Sequence, residues 1–400
     1  MANYIYKLKD DTGKTLYGFM EAENLAQLKK ELRHNSLYFI SAQETDAKKI
    51  FNKKVDLEQL LVFTRRLTSL IESGVPILST LNILWRQSED KTIQIMVSHI
   101  YRRLEQGKKI SEALSEFPGI FSPMYCSMIS VAETAGGLAN ILNRITGYLD
   151  YQRQMIMRMK KTTLYPMLVV IFAFLVLICM FTFVVPTFQR VLNKLNVELP
   201  LITKMVLAIS SILSSWIFWV LFITAGVVFY FFLKQLKKRE EFAGWVDSYK
   251  IKIPILGNIF YTISLSRFIH ALSLLISSGV PIINSFELAK ATTNNSHINK
   301  GIDDVQSSVR QGNSLYESIK ETRMFPVMFT EMTGVGERSG RMESILDNMA
   351  LHFDQEVEFK QNRILTILEP ALIIFVGIIV IITLLAVYMP IFSIWQGLLK

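Results

Sequence analysis

Two cysteines and five histidines are the side chains of this chain best suited to bind metals or act as nucleophiles. Cys126 and Cys179 are too few for a disulfide framework or a cysteine zinc site, and Cys179 lies inside a long apolar stretch. The histidines lie far apart, without the spacing of a ligand set, at positions 34, 99, 270, 297 and 352. We therefore predict no metal centre from these residues.

Phosphate-binding glycine motifs are also missing. The sequence contains no GxxxxGK[ST] loop, and the nearest approach to a dinucleotide turn, residues 334–340, has the wrong glycine spacing and no preceding strand. One pair of oxygen-bearing residues, Asp150 and Gln154, lies four apart on a predicted helix and could bridge a surface cation to another chain. Calcium takes six to eight oxygen ligands, so a solvated surface is the favoured interpretation. We predict no enzyme activity and no cofactor.

Three long stretches contain no Asp, Glu, Lys or Arg: residues 162–189, 205–233 and 370–399. The whole chain of 400 residues is 50% hydrophobic and only 19% charged, whereas soluble domains carry about 25% charged residues. A helix of about 20 apolar residues crosses a bilayer, so each stretch is long enough to cross once. The first begins too far along the chain for a cleavable signal peptide. These stretches exclude a soluble protein.

Basic residues near these stretches predict the orientation, because cytoplasmic flanks carry an excess of Lys and Arg. They cluster before the first stretch, after the second and before the third, at Arg153, Arg158, Lys160, Lys161, Lys234, Lys237, Lys238, Arg239, Lys360 and Arg363. The N-terminus and residues 234–365 are therefore expected in the cytoplasm. We interpret the net charge of +9 as favouring contact with anionic lipid at the cytoplasmic surface, and binding to nucleic acid is the weaker interpretation.

The chain also repeats itself. Residues 67–77 (LTSLIESGVPI) and 272–282 (LSLLISSGVPI) are identical at eight of eleven positions, 205 residues apart. Further matches follow in the same order. At an offset of 205 or 204 these are Gln106-Gly107 with Gln311-Gly312, Glu112 with Glu317, Glu133 with Glu337, Gly136 with Gly340, and Tyr165-Pro166 with Glu369-Pro370, and Phe117-Pro118 corresponds to Phe325-Pro326 at an offset of 208. Each half is therefore the same unit, and the middle span returns the chain so that both units lie on one side of the membrane.

Apolar residues in each half recur at three-to-four spacing, which predicts bundles of about six helices. Gly74 and Gly279 suit the residue after a helix, where φ is positive, and Pro76 and Pro281 suit the first turn of the next helix. We predict a mainly α polytopic membrane protein in eight segments. These are an α+β head (1–50), a first cytoplasmic bundle (51–161), a first span (162–189), a periplasmic loop (190–204), a second span (205–233), a second bundle (234–365), a third span (366–395) and a periplasmic tail (396–400).

The chain carries a series of short motifs, in a fixed order and duplicated around the spans: SGVP, QG, FP, Glu-x-x-Gly, Tyr-Pro or Glu-Pro, and VVPxF. With this series it resembles the inner-membrane platform proteins of type II secretion systems and type IV pilus machines, the GspF/PilC family. The resemblance covers nearly the whole chain. It implies a bacterial inner-membrane protein that oligomerises, binds a hexameric cytoplasmic ATPase and other inner-membrane assembly proteins, and passes ATP-driven movement to pilins or pseudopilins. The absence of a nucleotide motif agrees with energy supplied by a partner.

The residues that we expect to couple movement, or to support it structurally, are Gly74, Pro76, Glu133, Gly136, Pro166, Gly279, Pro281, Glu337, Gly340, Glu369 and Pro370. For Glu133 and Glu337 the alternative is a carboxylate that caps the N-terminus of the following helix. For Glu369 it is a carboxylate at headgroup level that reaches water. The prolines near the spans are either hinges or residues that set where helices begin and end.

Two other functions are compatible with parts of this pattern. A membrane-tethered signalling scaffold would need no catalytic residues either. A transporter is less compatible, because transporter repeats are commonly inverted and carry polar groups at mid-membrane. Here the repeats lie on one side, and the spans contain no charged residue at mid-depth.

Overall fold

The computed structural model describes residues 2–32, 37–46, 50–187, 190, 201–236, 256–293 and 295–398. These residues are mainly helical, with one small sheet. They divide into two compact units. The first comprises Met1–Ile156, Ser264–Asn294 and Ile298–Phe353, and the second Met157–Ile263, Asn295–His297 and Asp354–Lys400.

The N-terminal head is the α+β element that the sequence predicts. Strands β1 (Ala2–Asp10), β2 (Thr15–Ala22) and β3 (Leu37–Glu44) form an antiparallel sheet in the order β2-β1-β3. Helix α1 (Leu25–Glu31) begins where Asn24 accepts hydrogen bonds from the backbone N–H groups of Ala26 and Gln27, which satisfies two otherwise unpaired donors. Alternate residues of β1, Tyr6 and Leu8, are buried.

Twelve described helices make two matching sets of six. The first set is α2 (Leu57–Glu72), α3 (Ile77–Gln87), α4 (Lys91–Glu105), α5 (Ile110–Ser115), α6 (Pro123–Ala135) and α7 (Leu138–Cys179). After α8 (Leu201–Ser214) and α9 (Trp216–Leu236) comes the second set, α10 (Leu256–Ser277), α11 (Ile282–Lys290), α12 (Ser296–Arg310), α13 (Leu315–Thr322), α14 (Val327–Ser339) and α15 (Met342–Leu398). We call the parts of these sets that lie in the first unit the first and second bundles.

The head covers one face of the first bundle. Backbone N–H groups on the outer edge of β2 donate to side chains of α4, from Tyr17 to Gln94 Oε1 at 3.0 Å and from Phe19 to Ser98 Oγ at 3.1 Å. Trp85 Nε1 of α3 donates to the Tyr17 carbonyl at 2.7 Å. Because these side chains occupy the free edge of the sheet, the edge is closed to pairing with another strand.

The two SGVP corners have the same backbone. Gly74 and Gly279 have φ of +79° and +84°, a region that glycine enters without the steric cost paid by other residues. Pro76 and Pro281 both have φ near −55° and stand one residue earlier than expected, at the N-cap rather than in the first turn of α3 and α11. The duplicated sequence thus produces a duplicated turn.

Three described helices are long and apolar enough to cross a membrane by length and composition: Leu138–Thr187, Gly257–Ser277 and Met342–Ile382. The apolar window of Gly257–Ser277 is 61% buried inside the protein, whereas those of the other two are 12% and 0% buried. Burial therefore identifies Gly257–Ser277 as a core helix. The exposed apolar side chains of the other two, such as Phe172 and Phe375, suit contact with lipid.

The middle apolar stretch is bent. Lys204–Ile212 and Trp216–Phe232 pass the same test together, but their axes differ by 65°. Four serines, at positions 210, 211, 214 and 215, surround the bend, and serine clusters are a usual cause of kinks. Ser210 donates to the Phe181 carbonyl at 2.5 Å, within a π-helical turn (Met180–Val184) that continues α7. The apolar run alone did not reveal this bend.

Candidate functional site

The duplicated glutamates each hold the N-terminus of a helix. Glu133, near the end of α6, accepts hydrogen bonds from the backbone N–H groups of Ile110 (2.5 Å) and Ser111 (3.2 Å) at the start of α5, and from the Ser111 hydroxyl. Glu337 of α14 accepts from the backbone N–H groups of Leu315 (2.7 Å) and Tyr316 (3.0 Å) at the start of α13. Each carboxylate satisfies donors that have no partner within their own helix and complements the positive end of the helix dipole.

Both glutamates cap the N-terminus of a helix, as the capping interpretation predicts, but the capped helix is not the expected one. We expected Glu133 and Glu337 to cap the helix that follows each of them, and the capped helix instead begins 22 or 23 residues earlier. The reason is tertiary: the last turn of α6 packs beside the start of α5, and α14 beside the start of α13. Both carboxylates are used inside their own bundle. Gly136 and Gly340, with φ of +83° and +67°, then end α6 and α14.

The two SGVP corners differ in what surrounds them. A Cβ atom placed on Gly279 would lie 3.7 Å from Val131 Cγ1 of α6, so this corner packs on the first bundle. A Cβ atom on Gly74 would meet nothing within 4 Å. The neighbouring residues agree, because Val280 is 5% exposed while Val75 is only half-buried. Equivalent turns are therefore covered in one repeat and open in the other.

Side chains that the sequence did not single out also join the bundles. The Tyr151 ring of α7 stacks on His270 of α10 with ring centres 3.8 Å apart, and its hydroxyl lies 3.0 Å from Ser266 Oγ. Arg144 of α7 forms an ion pair with Glu343 of α15 at 3.4 Å. These partners are more than 100 residues apart and share no motif, so only the folded chain brings them together.

A second cluster, around His99, ties the head to the first bundle. His99 is buried among the rings of Phe19, Phe51 and Phe117. Its Nε2 lies 2.5 Å from Glu116, whose carboxylate also pairs with the guanidinium of Arg103 at 3.1 Å and with the ammonium of Lys108 at 3.4 Å. Arg103 in turn reaches Glu21 of the head at 3.6 Å.

Burial lowers the pKa of His99, although the hydrogen bond and charge of Glu116 act in the opposite direction. Partial burial acts to raise the pKa of Glu116, but the hydrogen bonds from His99 and Arg103 and the charge of Arg103 lower it overall. His99 is therefore a neutral core residue at pH 7, and the cluster fixes the head in place. Its members are scattered in sequence, so spacing could not have indicated it.

The proposed cation pair is already occupied by protein groups. Asp150 accepts from Arg65 at 3.3 Å and from the Gln154 amide at 2.8 Å, and Arg153 lies 3.9 Å away. Two guanidinium groups beside one carboxylate disfavour an added cation. Among the described residues, no group of three or more His, Cys, Asp or Glu side chains is placed to hold a metal ion.

The prolines at the spans lie within continuous helices. Pro166 is inside α7, and Glu369 and Pro370 are inside α15. Neither proline begins or ends a helix, which removes one of the two roles considered for them. Each bundle thus continues along one helix, past a proline, into an apolar segment.

Duplicated helical bundles, each running into a long exposed apolar helix, define a tandem-repeat membrane protein. Residues 63–186 and 268–390 each match the family described as "Type II secretion system (T2SS), protein F". The two matches cover more than half of the chain, and their starts are 205 residues apart, as in the internal repeat. The chain therefore belongs to this family.

Named relatives agree over nearly the full length. The chain is 29% identical to the type IV pilus assembly protein PilC of Pseudomonas aeruginosa, over 85% of this chain and 91% of the relative. It is 28% identical to the PilC protein of Thermus thermophilus, over 98% of both chains. It is also 28% identical to type II secretion system protein F of Vibrio cholerae, again over 98% of both.

Proposed function

We propose that this chain is the inner-membrane platform of a type II secretion or type IV pilus machine, where it couples a cytoplasmic ATPase to the polymerisation of pilins or pseudopilins. Family membership and the names of its relatives support this proposal. The chain contains no phosphate-binding glycine motif, so the proposal assigns ATP hydrolysis to a partner and assigns no catalysis to this chain.

The observation that carries the mechanical part is the continuity of α7 and α15. Each helix starts as the last helix of a bundle and runs unbroken into an apolar segment. A helix of this kind transmits displacement along its length, since every turn is tied to the next by backbone hydrogen bonds. An ATPase bound to the bundles could thus move the spans against pilin subunits held in the membrane.

The proposed topology places the N-terminus and both bundles in the cytoplasm. Both bundles belong to one compact unit, so the chain between them has to cross the membrane an even number of times. The first apolar helix supplies one crossing, and the bent pair α8–α9 has to supply the return. The basic residues that flank these segments favour the cytoplasmic side for the bundles. The partners in this arrangement are the ATPase, pilins or pseudopilins, other inner-membrane assembly proteins and lipid.

The experiment is complementation of a strain that lacks the chain, with filament assembly and co-purification of the assembly ATPase as readouts. Gly279→Asp places a carboxylate against Val131 and should separate the bundles. Gly312→Asp is the matched control, because Gly312 also has positive φ (+94°) but nothing lies within 4 Å of its Cβ position. Membrane insertion of both variants is checked by fractionation.

We expect Gly279→Asp to abolish filament assembly and Gly312→Asp to retain it. Wild-type protein should co-purify with the ATPase in detergent. If the inserted wild-type chain binds no ATPase, and if a strain without the chain still assembles filaments, the coupling function is refuted. A membrane-tethered scaffold would then explain the fold better.

A further inference from the structure

A cavity of about 410 Å³ lies where the two bundles meet, inside the first compact unit. The first bundle lines it with α2, α6, α7 and the segment before α6, and the second bundle lines it with α10, α11 and the residues after α11. Cavities that bind small molecules are commonly about 300–1,000 Å³ in volume. This cavity is therefore large enough to hold a small ligand.

The wall of the cavity is mostly apolar. Its aliphatic side chains include those of Leu57, Ile120, Ile145, Leu149, Met155 and Leu288. The described residues that line it include no Asp, Glu or Lys, and Arg267 is the one charged side chain among them. Such a wall favours a ligand that is itself largely apolar, because apolar surface gains free energy when it leaves water.

Arg267 brings a positive charge to this wall. It is half-buried on α10 and forms no ion pair with a carboxylate in the part of the chain that the structure describes. The repeat shows that the bundle does not require this charge, because the equivalent residue, 205 positions earlier, is Val62. A guanidinium group can hold a carboxylate or a phosphate with two parallel hydrogen bonds. Arg267 therefore suits an anionic group inside the cavity.

Tyr148 of α7 supplies a second hydrogen-bond donor. Its hydroxyl is buried and makes no hydrogen bond within the described residues, although Gln152 and Thr292 lie near it. Burial raises the pKa of Tyr148 to about 12, so the hydroxyl keeps its proton at pH 7. The charge of Arg267 acts on the same hydroxyl, so the two donors lie close to each other. Buried polar groups nearly always have a partner, and an anionic oxygen between these donors provides one.

We propose that this cavity binds an amphiphile with one acyl chain and an anionic head group. The head-group oxygens accept hydrogen bonds from the Arg267 guanidinium and the Tyr148 hydroxyl, and the acyl chain lies along the aliphatic wall. A free fatty acid has this chemistry, and so does one chain of an anionic phospholipid. Because the ligand contacts both bundles, it holds the second bundle on the first. The proposal does not depend on the identity of the ATPase or the pilin.

The position of the lining along α7 agrees with a ligand that comes from the membrane. Ile156, the last residue of α7 that lines the cavity, stands six residues before the first charge-free stretch. The same helix continues without a break into that stretch. Fatty acids and phospholipids are concentrated in the bilayer that such a stretch would enter.

The test is photolabelling of the full-length protein in nanodiscs of neutral phosphatidylcholine, with a photoreactive analogue of palmitate as the probe. Mass spectrometry of proteolytic peptides locates the label. We expect label in the two segments that line the cavity, residues 145–156 and 288–292, besides the label that the bilayer gives to the apolar stretches. Palmitate should compete with the cavity label. Hexadecanol has the same chain and a neutral head, and should need a concentration about tenfold higher.

The source of the ligand is distinguished by a second competitor, phosphatidylglycerol, added to the nanodiscs. Competition by palmitate alone identifies a free fatty acid as the ligand. Competition by phosphatidylglycerol identifies an anionic phospholipid of the membrane. Either result supports the proposal, because both compounds combine an acyl chain with an anionic head group.

Two variants separate recognition of the head group from folding. Arg267→Gln should bring the competing concentrations of palmitate and hexadecanol to within about twofold of each other, because the charge that prefers the anion is lost. Tyr148→Phe should raise the competing concentration of palmitate about threefold or more, without lowering the Tm of the ligand-free protein, since it removes only an unbonded hydroxyl. Arg310→Gln, at an exposed position of α12, is the matched control and should keep the preference for palmitate.

Three outcomes would overturn the proposal. The first is the absence of label from both cavity segments, which means that water or the protein's own side chains fill the space. The second is equal competition by palmitate and hexadecanol in the wild-type protein, which removes the anionic head group. The third is a preference for palmitate that Arg267→Gln leaves intact, which means that the head group lies elsewhere.

Discussion

Removing the carboxylate of Glu133 should destabilise the first bundle without touching any exposed partner surface. In Glu133→Ala the backbone N–H groups of Ile110 and Ser111 and the Ser111 hydroxyl lose their acceptor. A hydrogen bond to a charged group contributes about 1.5–3 kcal/mol, and water replaces part of the loss at a half-buried site. We therefore expect a loss of about 2–3 kcal/mol in the free energy of unfolding.

The matched control is Glu112→Ala, at the other glutamate that both repeats share in this region. Glu112 is exposed in the first turn of α5 and contributes only through the helix dipole, by about 0.3–1 kcal/mol. For a unit of this size, 2–3 kcal/mol corresponds to a fall in Tm of about 4–12 °C. Thermal unfolding in detergent measures the difference, and hydrogen exchange should show lost protection concentrated in α5.

Glu337→Ala should do the same to α13 in the second bundle. The two sites lie in separate bundles and share no partner, so their effects should add within about 0.5 kcal/mol. A Glu133→Ala variant with unchanged Tm and unchanged exchange in α5, but with filament assembly lost, would refute the capping explanation. Glu133 would then have to act on a partner.

The remaining predictions concern single positions. Gly279→Ala should cost about 1 kcal/mol, because φ is +84° while the added methyl meets Val131 at an ordinary 3.7 Å; differential scanning fluorimetry against Gly312→Ala checks this. Gly18→Ala should loosen the head by more than about 2 kcal/mol, since its Cβ would lie 2.2 Å from the Tyr6 ring; protease cleavage after Lys14 should accelerate. His99 should make stability pH-dependent. Its pKa is lowered in the folded state, so the unfolded chain takes up the proton first and stability falls as the pH drops below about 6.5, a decline that His99→Gln should remove in thermal melts between pH 7.5 and 5.

Much of the fold could be predicted from the sequence because it depends on local patterns. The three-to-four spacing of apolar residues predicted the helices of both bundles, and residues 1–50 were predicted to form an α+β head. Gly74 and Gly279 were expected at positive φ, and the repeat itself gave two bundles of the same design. These features are decided within a few residues, since caps, turns and helical periodicity involve neighbours along the chain.

The structure alone decided which distant groups meet. The helix that Glu133 caps begins 23 residues before it, and the partners of His99 come from the head, α4 and the segment after α5. The bend between α8 and α9 could not be predicted, because a run of apolar residues indicates that a segment suits lipid but does not indicate the direction of the helix axis. These partners meet through packing between distant segments, which the spacing of residues along the chain does not indicate.

The sequence by itself determined that this is a tandem-repeat membrane protein, because charge-free length and internal similarity are properties of the chain. The sequence alone predicts the same turn and the same surroundings for both repeats. Only the tertiary structure made them unequal, by covering the Gly279 corner and leaving the Gly74 corner open. The reason is geometric: Val131 of α6 lies against the Gly279 corner, whereas a Cβ atom placed on Gly74 would meet nothing within 4 Å, so two turns of the same sequence have different neighbours in the folded chain.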